Sequence, residues 1–297
     1  MTDAARFALA LEQMDGVGRV TAGRLLTHFA SYEALRAYPR EQVLARIQGA
    51  PRAEALVGRL FDAAHMQPRF AEADRQLADL ERRGVAVLTA HHPAWPPGLD
   101  ALPRNRRPVV LYAYGHLDAL ARPVVAFLAR PPLAPEPFEQ AQALVRHLLP
   151  HGIAPATGAA HGFDVVVHKL AGGADPPAPS LLVASCGMAK APPRMRPAIS
   201  AAVHHGGLFL SPFPMNHGPF EHDDAERAAV TAALARACVF VEPRPGTPEG
   251  HAMDWAMEHG RPVFGLASDA HTLPSAVHPL REPVDFDWVL AAARGTP

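Results

Sequence analysis

The sequence predicts an α/β protein, a doubly wound and mostly parallel sheet preceded by a small all-α domain. Two observations carry that prediction. From residue 109 onward short apolar runs alternate with helix-periodic segments, the pattern of strands buried on both faces by crossover helices. Residues 1–66 instead show helical spacing with no strand-like run. The length, 297 residues, fits one large domain beside a small one. The divisions expected are a helical domain over 1–66, a connecting helix and Pro-rich linker over 67–108, and a Rossmann-like domain over 109–297.

Taken in order, Phe7, Leu11 and Met14 share a helical face, which Gly16 and Gly18 interrupt. Helical spacing resumes at Val20, Leu25, Leu26 and Phe29, and again over 41–47 and 53–64. A further helix is predicted over 68–83, ended by Gly84, with a strand over 85–89. Five prolines in 92–108 mark an irregular connection. Strands are then predicted over 109–114, 124–128, 153–156, 181–185, 208–211, 238–242 and 263–266. Helices are predicted between them over 138–149, 164–170, 197–204, 223–236 and 250–259.

Composition narrows the function. At 48% hydrophobic and 19% charged the chain is globular. Cys186 and Cys238 are too few for a disulfide framework, no apolar run reaches membrane-spanning length, and the first residues lack the basic stretch of a signal peptide. A cytoplasmic protein without membrane contact is expected. The net charge of -1 conceals an imbalance: residues 1–107 hold 15 Arg against 12 acids, and residues 108–297 hold 13 cations against 17 acids. Only Lys169 and Lys190 are lysines. Arginine suits bidentate phosphate recognition, but a composition rich in Arg, Ala and Pro throughout gives the same bias.

Two groups of motifs point to ligands. Gly16 and Gly18 flank Val17 between two helices, as in a SAM-like or helix-hairpin-helix turn. There glycines permit close backbone approach and the next helix N-terminus can hold a phosphate, helped by Arg19 and Arg24. The second group lies in the loops after the predicted strands: 128–132, 157–164, 185–188 and 242–252. Ligands of open parallel sheets bind at those ends. Gly158 and Gly162 could cradle a phosphate or only shape a turn. Thr247 could face a ligand or only cap the following helix, with Pro248 at its first position. The 17 histidines include His161, in one of these loops. No ligand spacing for a metal accompanies them, so neither metal nor cofactor is expected.

The order of these motifs resembles the DNA-processing protein A (DprA/Smf) family. His92, Pro93, Leu99, Pro108, Leu111, Tyr112 and Gly115 fit its entry signature. Gly158, Ala159, Gly162, Asp164 and His168 match its SG-A-GID---H segment. The triplet 186–188 resembles its G-C-G turn, and 211–214 its S-E-Y/F-P. Glu242, Ala256, Gly260, Arg261, Val263 and Phe264 match its closing segment. The resemblance implies single-stranded DNA binding, delivery of that DNA to a RecA-type recombinase, and a homodimer. It places Arg130, Gly158, Gly162, Arg227 and Thr247 at the phosphate edge, with Gly16, Gly18 and Arg19 in the helical domain.

The departures are as informative. The family's G-S-R loop is Leu128-Ala129-Arg130, keeping only the arginine. Its basic F-P-x-R-N-R run becomes Asp224-Ala225-Glu226-Arg227-Ala228-Ala229, with Glu221 and Asp223 upstream. These carboxylates are expected to face any DNA backbone there and weaken its binding. Its SG turn is Thr247-Pro248, and no winged-helix tail is expected after Ser268. Two other readings therefore stand beside DNA delivery. One is a divergent member that has lost DNA binding and acts through protein contacts. The other is a nucleotide-cleaving enzyme using Glu249 as acid or base.

Overall fold

The computed structural model describes residues 3–159, 162–268, 273–281 and 283–295. The chain divides into two compact units, Met1–Tyr112 and Ala113–Pro297. The first contains α1 (Asp3–Glu12), α2 (Arg19–His28), α3 (Tyr32–Arg36), α4 (Arg40–Arg46), α5 (Ala53–Phe61), α6 (Ala63–Arg82) and β1 (Val85–Leu88). Phe7, Leu11, Leu25, Leu35, Ile47 and Leu60 are fully buried, and Met14 joins them as its spacing predicts.

Where a continuous helix is predicted over 53–64, the chain breaks at Asp62. The Asp62 carboxylate accepts the Ala64 N–H at 3.0 Å and starts α6. Helix α6 then runs through Pro68 rather than beginning there. The Pro-rich segment over 92–108 is irregular but ordered. It makes one 3-10 turn, Pro97–Ala101, and buries Trp95, Leu99 and Leu102.

Strand β2 (Leu111–Gly115) carries the chain into the second unit. There follow β3 (Val124–Ala129), α7 (Pro135–Leu148), β4 (Ala154–Gly158), α8 (Gly162–Gly172), β5 (Leu181–Val183), α9 (Arg196–His204) and β6 (Leu208–Ser211). Then come α10 (Asp223–Leu234), β7 (Ala237–Val241), α11 (Pro248–Glu258), β8 (Val263–Leu266), β9 (His278–Pro279) and α12 (Phe286–Arg294).

The strand order in this unit is β2-β6-β5-β4-β3-β7-β8-β9, and every pairing from β6 to β9 is parallel. The chain builds outward from β3 to β6, then returns to lay β7 against the other side of β3. That reversal makes a topological switch point between β3 and β7, whose last residues, Ala129 and Val241, are in register. Crevices at such points take ligands in doubly wound folds.

All six residues of β3 are buried, because both faces of the sheet are covered. Val125, Phe127 and Ala129 pack with Leu144 and Val145 of α7, Phe163 and Val167 of α8, and Val289 of α12. On the other face lie α10 and α11, packed against each other. The Cys238 thiol of β7 reaches the Ala232 carbonyl of α10 there, at 3.7 Å.

Candidate functional site

Three stretches converge outside the carboxyl ends of β3 and β7: the residues after β3 and the first turns of α10 and α11. Arg130, immediately after β3, donates through Nη2 to Asp224 Oδ2 at 2.8 Å and through Nε to Glu249 Oε2 at 3.0 Å. Arg227, one turn along α10 from Asp224, donates through Nη2 to Glu249 Oε1 at 2.6 Å, and its Nε lies 3.5 Å from Asp224 Oδ1. The four side chains form a closed ring of alternating charge. Arg227 and Glu249 are 2% exposed, and Arg130 is 32% exposed.

A fifth charge stands behind the ring. Asp164, buried in the first turn of α8, accepts the Thr157 hydroxyl at 2.8 Å. Burial works against the charge on Arg227, but Asp164, Glu249 and Asp224 outweigh it and hold the guanidinium above its ordinary pKa. Arg130 is raised in the same way: burial opposes its charge, and Glu249 and Asp224 overcome it. Three carboxylates thus surround two guanidinium groups. Only part of the acidic run faces outward as the sequence suggests: Glu221 is exposed, but two aspartates turn inward. Asp223 is 2% exposed, and its carboxylate accepts the Phe220 N–H at 3.1 Å and pairs with His217 at 3.0 Å. Asp224 turns into the ring.

This arrangement gives the predicted residues different work. Gly158 is needed by the ring: a Cβ there would lie 2.7 Å from Arg227 Nη1 and 2.8 Å from Asp164 Oδ2. Thr247 caps α11, accepting the Gly250 N–H at 3.1 Å and donating to the Arg244 carbonyl at 2.7 Å. Gly162 begins α8, and no atom stands within 4 Å of where its Cβ would be. His161 lies outside the described residues. His168 is buried, with Nε2 3.2 Å from the Gly158 carbonyl and Nδ1 3.0 Å from the Ser180 hydroxyl. A carbonyl can only accept, so Nε2 carries the proton and Nδ1 accepts from Ser180. Burial lowers the His168 pKa to about 4, against the smaller opposing pull of Asp164.

The loop after β3 is also poor in donors. Residues 131, 132, 135 and 137 are prolines and have no N–H. The Ala134 N–H at the cap of α7 is taken by Glu242 Oε2 at 2.9 Å. Glu242 Oε1 accepts the Ser268 hydroxyl at 3.0 Å. Glu242 sits at φ 48°, a left-handed conformation uncommon for a non-glycine residue. Arg244 ties the same corner by donating to the Pro132 carbonyl. The helix end that would meet a phosphate therefore meets a carboxylate of this chain.

In the first unit, Gly16 takes φ 81° and Gly18 caps α2 without a side-chain bond. Arg59 donates to the Asp15 carbonyl at 2.8 Å and braces this turn. Arg19 donates to the Asn105 carbonyl at 3.4 Å. Along α2 a cleft of about 170 Å³ is lined by Val20, Gly23, Arg24, Thr27, His28, Arg104, Arg107 and Pro108, without a carboxylate. Arg24 is fixed by the Gln48 carbonyl at 2.8 Å, and Arg107 reaches the Leu102 carbonyl at 3.3 Å. Arg104 and Arg107 fall in the Pro-rich segment, where sequence periodicity gives no signal. Among the described residues no three His, Cys, Asp or Glu side chains cluster as metal ligands, and no helix is long and apolar enough to cross a membrane.

Sequence reasoning found both arginines of the ring but missed Asp224 and Glu249 as their partners. The i,i+3 spacing of Asp224 and Arg227 on one helix was the available signal. The proline run beyond Pro132 was another.

A Rossmann-like sheet with its switch point between β3 and β7, and a helical unit built on a glycine turn, define the class. The chain belongs to the DNA recombination-mediator protein A family, whose model matches residues 86–277. It is 27% identical over 219 residues to a protein named for DNA processing, DprA, from Mycobacterium tuberculosis strain CDC 1551, and equally to that of strain H37Rv. Those alignments take in 69% of this chain and 56% of the relatives, so the chain spans little more than half their length. The structure is similar to that of DNA processing protein A from Streptococcus pneumoniae, with a TM-score of 0.72, 18% identity and 98% of both chains covered. It is also similar to Helicobacter pylori DNA processing protein A, described for its single-stranded DNA binding mode. That TM-score is 0.58, at 18% identity over 69% of this chain and 95% of the other.

Proposed function

We propose that this chain is a cytoplasmic, homodimeric DNA-processing protein that binds single-stranded DNA and delivers it to a RecA-type recombinase in DNA uptake and recombination. Family membership supports the general role. The observation that carries the DNA contact is the carboxylate-free cleft of Arg24, Arg104, Arg107 and His28 along α2. Phosphates bind where arginines stand with no carboxylate to oppose them. The switch-point ring offers no such place, since Arg130 and Arg227 already hold carboxylates.

The test is fluorescence anisotropy of a labelled oligo-dT across a salt series. Binding in the micromolar range at low salt is expected, with log K falling linearly against log salt. Arg24→Ala combined with Arg104→Ala should reduce that slope by about 1.4, about 0.7 for each single-strand phosphate released. Arg130→Ala should leave it unchanged. A slope lost on Arg130→Ala would move the contact back to the switch point.

A second reading, in which DNA binding is lost and the protein acts through protein contacts, is favoured by the ring itself. Absence of binding at low salt would select it. A nucleotide-cleaving role for Glu249 is opposed by its placement, because Arg130 and Arg227 occupy both carboxylate oxygens.

A further inference from the structure

The second unit carries an acidic surplus, yet three of its cations line one cleft at the edge opposite the switch point. There a cleft of about 640 Å³ opens beside the amino ends of β3, β4 and β5. Arg122 precedes β3, Arg146 lies in the last turn of α7, and Lys169 lies in the last turn of α8. Asp175 is the one carboxylate among the lining residues. Among the described residues, none of the three cationic side chains has a carboxylate or hydrogen-bond partner, and all three are exposed. This contrasts with Arg130 and Arg227, each of which holds two carboxylates.

The rest of the wall is apolar and stiff, including Leu170, Pro176 and Pro177. Its backbone donors are largely spent within the chain: Gly152, Gly173, Ala174 and Ala178 donate to the carbonyls of Leu149, Lys169 and Ala171. Recognition must therefore come from the cationic side chains and the apolar surface. A pocket of this size, mostly apolar with a few convergent charges, has the dimensions of a small-molecule site. Two of the cations also suit helix C-termini, where positive charge offsets the macrodipole. That role accounts for Arg146 and Lys169 but not for Arg122, which follows only a 3-10 turn, nor for the cavity they enclose.

We propose that this cleft binds a phosphorylated nucleotide. Arg122, Arg146 and Lys169 hold the phosphate, and the base lies on the Leu170, Pro176 and Pro177 wall. The shared chemistry is a nucleoside phosphate, supplied either by a free mononucleotide or by the 5′-phosphate end of a strand. The site is independent of the α2 cleft and does not rest on the DNA reading.

The test is isothermal titration of the full chain with dTMP, with thymidine, and with an oligo-dT carrying a 5′-phosphate or a 5′-hydroxyl. Saturable binding of dTMP and none of thymidine is expected. Arg146→Ala and Lys169→Ala should each weaken dTMP binding about tenfold, and Arg122→Ala should do so too. Equal affinity for dTMP and the 5′-phosphorylated oligomer in the Arg24→Ala/Arg104→Ala background assigns the site to strand ends. Binding of dTMP alone assigns it to free nucleotide. No heat with any phosphate at millimolar concentration overturns the proposal, as does binding indifferent to all three substitutions. If thermal midpoints fall while binding never occurred, the cations serve only the helix ends. An Arg146→Lys variant, which keeps that charge, separates misfolding from lost recognition by restoring the midpoint and part of the affinity.

Discussion

Replacing Arg227 with methionine tests the closed ring most directly. Methionine approximates the arginine stem in volume, so packing is nearly kept and charge is removed. Glu249, 2% exposed, would retain only Arg130, which is itself a third exposed. Asp164, 1% exposed, would keep the Thr157 hydroxyl but lose the adjacent guanidinium. Removing one partner from a buried ion cluster costs about 3–5 kcal/mol. For a unit of this size that lowers the unfolding midpoint by roughly 6–20 °C. Calorimetry and urea unfolding should show a lower midpoint for the second unit, with an unchanged m-value if its compactness is kept. Adding Glu249→Gln should recover part of the loss, since the pair is coupled. Arg130→Ala should cost only about 1 kcal/mol, because solvent reaches that side chain. An Arg227→Met midpoint within about 2 °C of the parent, on a scale of roughly 2–4 °C per kcal/mol, would refute the ring as a structural element.

Three further outcomes follow from the same geometry. Gly158→Ala should destabilise by about 1–3 kcal/mol in a denaturant series, since the added methyl overlaps Arg227 and Asp164; a neutral effect would mean the ring moves freely. Thr247→Ala should cost about 1 kcal/mol and Thr247→Ser little, with oligonucleotide affinity unchanged in both, as checked by melting and anisotropy. His168 is held neutral: its pKa falls from 6.5 unfolded to about 4 folded. The unfolded chain binds the extra proton between those values, so this contribution is full above pH 6.5 and lost as pH falls toward 4. The loss amounts to about 3 kcal/mol. Comparing the pH dependence of urea midpoints with a His168→Gln variant checks it, and parallel curves would contradict it.

The strands were legible because a parallel sheet covered on both faces must be written in uninterrupted apolar runs. The runs at 124–128, 208–211 and 263–266 lie where β3, β6 and β8 do. Breaks were harder. Asp62 separates two helices with a single residue, which leaves no gap in the periodicity. Strand β9, two residues long, and α12 have no predicted counterpart. At the site, Arg130 and Arg227 could be found as single residues, but their partners lie 94 and 119 residues from Arg130 and 22 from Arg227. Linear spacing does not report which charges a sheet brings together. The carboxylates of 221–226 therefore read as a solvent-facing surface, whereas the fold turns Asp223 and Asp224 inward.

The ring also limits which substitutions can open the switch point. Opening the switch point to an anion requires freeing both arginines, hence removing Asp224 and Glu249, and replacing prolines that lack N–H groups. Neutralising one carboxylate alone still leaves the other on the guanidinium groups, and removing Arg227 leaves the buried Glu249 with only the part-exposed Arg130. Against a total stability of about 5–15 kcal/mol, a step costing about 3–5 kcal/mol is severe. The ring therefore behaves as a single lock on the switch point: Asp224 and Glu249 must both be given up before Arg130 and Arg227 are free to meet an anion there.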